Sequence, residues 1–129
     1  MSRQRCTYVD RKTGTRRTWF TDRLWTLASE LPVISLSIES IAAFDQNTWF
    51  GQSEPTCRRV SEHAKRIYEA SFDYPIILAA EGWVMDGMHR VCKAFILGQP
   101  TIQAVQFPRN PEPDECWTES GHQLPIDPP

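Results

Sequence analysis

The alternation of apolar and polar positions divides the chain into short elements. Thr7–Phe20 (TYVDRKTGTRRTWF) reads as a hairpin, two β-prone runs flanking Lys12-Thr13-Gly14, with Gly14 supplying the turn. Thr21 is placed to cap a short helix running to about Glu30, with Asp22 in its first turn, and Pro32 ends it. The run Val33-Ile34-Ser35-Leu36-Ser37-Ile38 predicts a largely buried strand. Residues 39–55 form a poorly periodic connection. Thr56 then caps a helix from Cys57 to about Ala70, with Val60, Ala64, Ile67 and Tyr68 as an apolar stripe and Glu62 one turn from Arg66. Pro75–Ala79 and Trp83–Met85 make a second hairpin around Ala80-Glu81-Gly82. Asp86-Gly87 opens a helix to about Leu97, with Met88, Val91, Cys92 and Phe95 on one face and Gly98 as its stop. Thr101–Phe107 closes the series as a strand. The predicted class is α+β, a small mixed sheet with packed helices.

Length and composition fit that reading. The chain has 129 residues, 40% of them hydrophobic and 23% charged, enough for one domain with its own core. No window of about 18 apolar residues is present, and the basic N-terminus has no apolar run behind it, so no membrane partner and a soluble, cytoplasmic protein are expected. The four cysteines show no CxxC pair, which gives no support to a zinc site or a disulfide framework. Charge is unevenly spread. Residues 1–19 hold six Lys/Arg against Asp10 alone, whereas residues 108–129 hold Arg109 against five acids. The basic segment can serve a nucleic acid, or it can lie beside the acidic tail. That tail, with six prolines in 108–129, is expected to lack packed structure of its own. The division is therefore 1–32 (basic hairpin and short helix), 33–107 (the main domain) and 108–129 (tail).

The chemistry concentrates in Trp83-Val84-Met85-Asp86-Gly87-Met88-His89-Arg90, where a strand ends and a helix begins. A glycine admits close backbone approach, a helix N-terminus offers unpaired N–H groups, and His89 and Arg90 add donors suited to phosphate oxygens. Asp86 can hold a metal ion or accept a proton. The alternative is structural: Asp86 as an N-cap, Gly87 as a steric necessity, and Arg90 as a surface donor paired with Glu81 or Glu54. An N-cap carboxylate and a phosphate would compete for the same N–H groups, so both fit best with a bridging cation.

The stretch PIILAAEGWVMDGMHRVCKAFILGQPTIQAVQF resembles the ParB/sulfiredoxin-like superfamily, with the likeness covering about residues 33–107. Sulfiredoxins carry a nucleophilic cysteine where this chain has Met88, and a thioether cannot replace a thiolate. Cys92 lies about 6 Å further along the helix axis, so sulfinic-acid reduction is not expected. ParB partition proteins follow this fold with a helix-turn-helix, which the proline-rich stretch after the last strand does not resemble, so a partition clamp is not expected. The Asp86-Gly87-Met88-His89-Arg90 loop is most similar to that of the free-serine kinases. That resemblance implies a Mg²⁺-dependent phosphoryl transfer from a nucleotide (ATP, ADP or CTP) to an unknown small acceptor. In it, Asp86 activates the acceptor hydroxyl or anchors the metal, and the loop residues Gly87, Met88, His89 and Arg90 hold phosphates. A second acidic residue is implied after the first strand, with Asp45 the nearest candidate and Glu39 the other. Arg58 and Arg59, in the first turn after Thr56, are possible further phosphate ligands or solvated surface. His63 reads as an interface residue, and Trp49 and Phe50 either stack on a base or fill the core. The rival function is a non-catalytic, DNA-associated or regulatory module.

Overall fold

The computed structural model describes residues 3–10, 12–51 and 53–118. In these, the chain forms a small mixed α+β domain of three helices and two sheets. Strands β1 (Arg5–Asp10) and β2 (Thr15–Phe20) make the expected hairpin, with Gly14 in the left-handed region (φ 69°) at its turn. Helix α1 (Thr21–Ala28) and strand β3 (Ile34–Ser37) follow, then two 3-10 turns at Ile38–Ser40 and Ala42–Asp45. After α2 (Cys57–Glu69) come β4 (Ile76–Leu78), β5 (Val84–Asp86), α3 (Met88–Ile96), β6 (Thr101–Gln106) and β7 (Glu115–Trp117).

The main sheet runs β3-β6-β4-β5, with β4 and β6 parallel and the other pairs antiparallel. Strand alternation sends successive side chains to opposite faces, and it builds two cores. Ile76, Leu78, Ile102 and Ala104 face Val91 and Ala94 of α3 together with Ile38 and Ile41 of the first turn. Ile77, Ala79, Val105 and Phe107 face the hairpin and α1 through Cys6, Trp19, Leu24 and Ala28. The helix expected from Thr56 is present, and Thr56 Oγ1 accepts the Arg59 N–H at 3.2 Å.

Four local expectations are corrected. Thr21 is not a cap: it is the first residue of α1, Phe20 stands before it without a side-chain cap, and the Arg23 N–H donates to Asp22 Oδ1 at 3.0 Å. The strand from Val33 is not buried, since β3 is the sheet's edge and pairs with β6 alone. The α2 stripe finds no core either. α2 packs against α3 and leaves Val60 50% and Tyr68 82% exposed. The tail is not structureless through residue 118, because β7 pairs with β2 to complete a three-stranded sheet β1-β2-β7. Its anchors are polar: Trp19 Nε1 donates to the Pro111 carbonyl at 2.8 Å, and Arg23 reaches Asp114 at 3.3 Å. Arg5 lies 3.4 Å from Glu115, so the basic segment does lie beside acidic tail residues. Residues 119–129, and Arg11 of the basic segment, lie outside the described residues.

Among the described residues no helix is long and apolar enough to cross a membrane.

Candidate functional site

The β5–α3 junction is built around one glycine. Gly87 sits at the N-cap of α3 with φ 114°, and a β-carbon there would stand 2.5 Å from Ile76 Cγ2 and 3.2 Å from its Cα. Both the backbone turn and the approach to β4 exclude a side chain. Asp86 therefore ends the strand and is not the helix cap, and no side chain caps α3. The first-turn N–H groups of the helix remain free of a competing carboxylate.

Asp86 is engaged in another direction. Its Oδ2 accepts from Arg90 Nη2 at 2.7 Å and from Trp25 Nε1 at 2.7 Å. Arg90 Nη1 donates to the carbonyls of Tyr74 (2.6 Å) and Pro75 (2.8 Å), tying α3 to the entry of β4. The side chains of this ion pair are only 10% and 12% exposed. Arg90 is thus a buried clamp with its own counter-ion, which corrects the surface pairing with Glu81 or Glu54. Glu81 is held by Asn110 instead. Met88 turns inward and packs beside Val84 against the α3-side core.

His89 points to a second group that the sequence did not assemble. His63 Nδ1 and His89 Nε2 are 2.8 Å apart, with ring planes within 10° and centroids 5.1 Å apart. A nitrogen contact that short at that centroid distance places the two imidazoles edge to edge in one plane, joined by an N–H···N bond. Trp49 lies flat across both, 4.4 Å from each centroid, and Phe50 meets His63 edge-on. Burial lowers the His89 pKa to about 4, helped by the neighbouring His63 and Arg66 against the opposing pull of Asp86. His63 is lowered too, by burial and then by Arg66 and Arg59. At neutral pH the pair is uncharged and shares one bridging proton. No sequence spacing joins residues 63 and 89.

The other candidates separate. Arg59 donates to the Trp49 carbonyl at 3.3 Å and lies over the Phe50 ring, so it holds the Trp49 segment in place. The Arg58 side chain is exposed, with no hydrogen bond or ion pair among the described residues, and Asp45 and Glu39 are exposed outside the junction. Two cavities of about 570 and 410 Å³ meet at the junction, both lined by Gln4, Arg66, Asp86, Gly87 and His89. Arg3 and the stacked Trp25–Tyr74 pair line the larger one; Arg5 and Trp49 line the smaller. Arg3 and Arg5 already face Asp22 and Glu115, whereas Arg66 has no ion-pair partner among the described residues. Cys6, buried near Asp86, has its pKa pushed up to about 12 and is no nucleophile.

Comparison of this chain with models of known families, with curated proteins and with solved structures finds no match.

Proposed function

We propose that this chain is a nucleotide-binding domain of the ParB/sulfiredoxin-like type, taking phosphate groups in the cleft between the N-terminal hairpin, α2 and the start of α3. One observation carries the reading. The uncapped N-terminus of α3 opens where the two cavities meet, beside Arg66, which has no ion-pair partner among the described residues. Free N–H groups, a positive helix end and a guanidinium suit phosphate oxygens together. The aromatic walls, Trp25–Tyr74 on one side and Trp49 on the other, suit a planar base.

Phosphoryl transfer with Mg²⁺ is the enzymatic extension of this reading. Mg²⁺ is typically held by one or two carboxylates plus substrate phosphates. Asp86 suits such a minimal set, because its Oδ1 accepts no hydrogen bond among the described residues while Oδ2 is fixed. Among the described residues no group of three His, Cys, Asp or Glu converges, so a nucleotide would supply most of the remaining ligands. Mg²⁺ would neutralise phosphate charge. In this chain, Arg66 and the α3 N–H groups would orient the phosphates, and Asp86 would accept the proton of an acceptor hydroxyl. The Asp86–Arg90 pair supports the second reading, binding without turnover, because the carboxylate already has a counter-ion.

Titration calorimetry with ATP, ADP and CTP, with and without Mg²⁺, tests the proposal. Binding by the wild type and at least a tenfold loss in Arg66→Ala are expected. No heat with any nucleotide would refute it. Arg90→Ala is the wrong probe, since it breaks the fold's own clamp. DNA binding that falls steeply with salt and weakens in Arg16→Ala/Arg17→Ala would point instead to the DNA-associated module.

A further inference from the structure

We infer that the open edge of β3 is a docking site for an extended peptide with an uncharged core and basic flanks, pairing as an additional strand of the main sheet. The argument starts from hydrogen-bond phase. The β3–β6 register places Ser37 opposite Thr101, Leu36 opposite Ile102, Ser35 opposite Gln103 and Ile34 opposite Ala104. Ile38 N–H donates to the Pro100 carbonyl at 3.0 Å, which makes the next pair in this register a hydrogen-bonded one. Such pairs alternate along an antiparallel ladder. Leu36 and Ile34 therefore bond inward to β6, and Val33, Ser35 and Ser37 turn their backbone groups outward. Ser40 Oγ donates to the Ser37 carbonyl at 2.6 Å. The N–H and C=O groups of Val33 and Ser35 and the N–H of Ser37 have no partner among the described residues and remain for an incoming strand.

Proteins ordinarily blunt such an edge with charge, proline or a bulge. Here Val33–Ser37 contains none of these, and its register with β6 is unbroken. Val33 and Ile34 are 54% and 41% exposed, and a groove of about 340 Å³ beside Val33, walled by Leu31, Tyr74 and Val105, is mostly apolar. Paired main chain with a pocket for alternate side chains is how sheet edges recognise extended peptides.

Charge selects the occupant. Glu30 and Glu39 bracket the strand, and Asp73 stands between Phe72 and Tyr74, which line a cavity over the face that β3 shares with β6. All three acids are exposed, and none has an ion-pair partner among the described residues. A second copy paired antiparallel about Ser35 would bring Glu30 of each chain beside Glu39 of the other, which disfavours self-association. A partner strand with Lys or Arg at both ends complements them.

The test uses a fluorescein-labelled peptide, Lys-Lys-Thr-Val-Thr-Val-Thr-Lys-Lys, followed by anisotropy against the full chain. Saturable binding is expected, at least tenfold weaker in Ser35→Pro, which removes one outward N–H and leaves the β6 ladder intact. Glu30→Gln/Glu39→Gln should weaken binding several-fold and reduce its salt dependence. Thermal melts establish that Ser35→Pro is folded; if it is not, Ser35→N-methyl-Ala, made by semisynthesis, deletes the same donor. Absence of binding to the wild type, or equal binding by the variant lacking the donor, overturns the inference. So does a wild-type dimer that this variant converts to a monomer, since the edge would then belong to a second copy.

Discussion

Asp86 shows how one carboxylate can be legible as important and misread in direction. The sequence identifies it as the only acid at a strand–glycine–helix junction, which suggests a group that holds a metal or takes a proton or, as the structural alternative, a cap; the cap is the reading that fails. The three-dimensional fact that decides otherwise is Arg90 folding back to the Tyr74 and Pro75 carbonyls, which brings a buried cation to Oδ2. Asp86→Asn keeps an acceptor for Trp25 but leaves that guanidinium uncompensated. It should cost about 3 kcal/mol in urea unfolding, whereas a simple cap would lose well under about 1 kcal/mol. At Gly87 the sequence reading was nearer, since steric necessity was one of its two alternatives. Gly87→Ala forces a β-carbon into Ile76 at a positive φ and should destabilise by about 3 kcal/mol. Partial recovery in the Ile76→Ala background would identify the clash as the cause. The His63–His89 pair was invisible for a different reason: it is a contact between two helices under a loop residue, and no local pattern encodes it.

At the scale of elements, periodicity located the segments but not which faces are covered. The α2 stripe has helical spacing, yet α2 packs beside α3 rather than over the sheet, so its outer half stays wet. Tyr68→Ser should therefore shift stability by less than about 0.5 kcal/mol, while Val91→Ala, on the buried face of α3, should cost about 2 kcal/mol. Denaturant titrations of the two variants would separate a covered face from an open one. What ties α2 down at its end is polar. Lys93 Nζ donates to the carbonyls of Tyr68 (2.9 Å) and Ala70 (2.6 Å). The Val33–Ile38 run misled similarly: four apolar side chains in six residues read as burial, and here the strand lies at an edge with its even-numbered side chains turned to the α3 side.

For the whole molecule, the α+β order of elements was readable in advance because each helix and strand of the main sheet had local stop signals. The closure of the N-terminal sheet by β7 was not, because a short strand in a proline-rich acidic stretch has no pattern of its own. Stability should also depend on pH through the histidine pair. In the unfolded chain an imidazole titrates near 6.5, and in the fold His89 resists protonation until about pH 4. Between these values the unfolded state takes up the proton and the folded state does not, so the contribution of His89 to stability falls as pH is lowered through that window and changes no further below it. Melting temperatures from pH 7 to 4.5 should decline, and less steeply in His89→Gln. The pairing of β2 with β7 has a further consequence during synthesis. A ribosome releases the hairpin first and the strand that completes its sheet about a hundred residues later, so Trp19 Nε1 and the Phe20 N–H lack their native acceptors until Pro111 and Asp114 have emerged. A nascent chain ending at Phe107, tethered by a linker long enough to bring that residue out of the exit tunnel, should thus be cut by protease within the hairpin and α1, and one ending at residue 118 on the same linker should resist there.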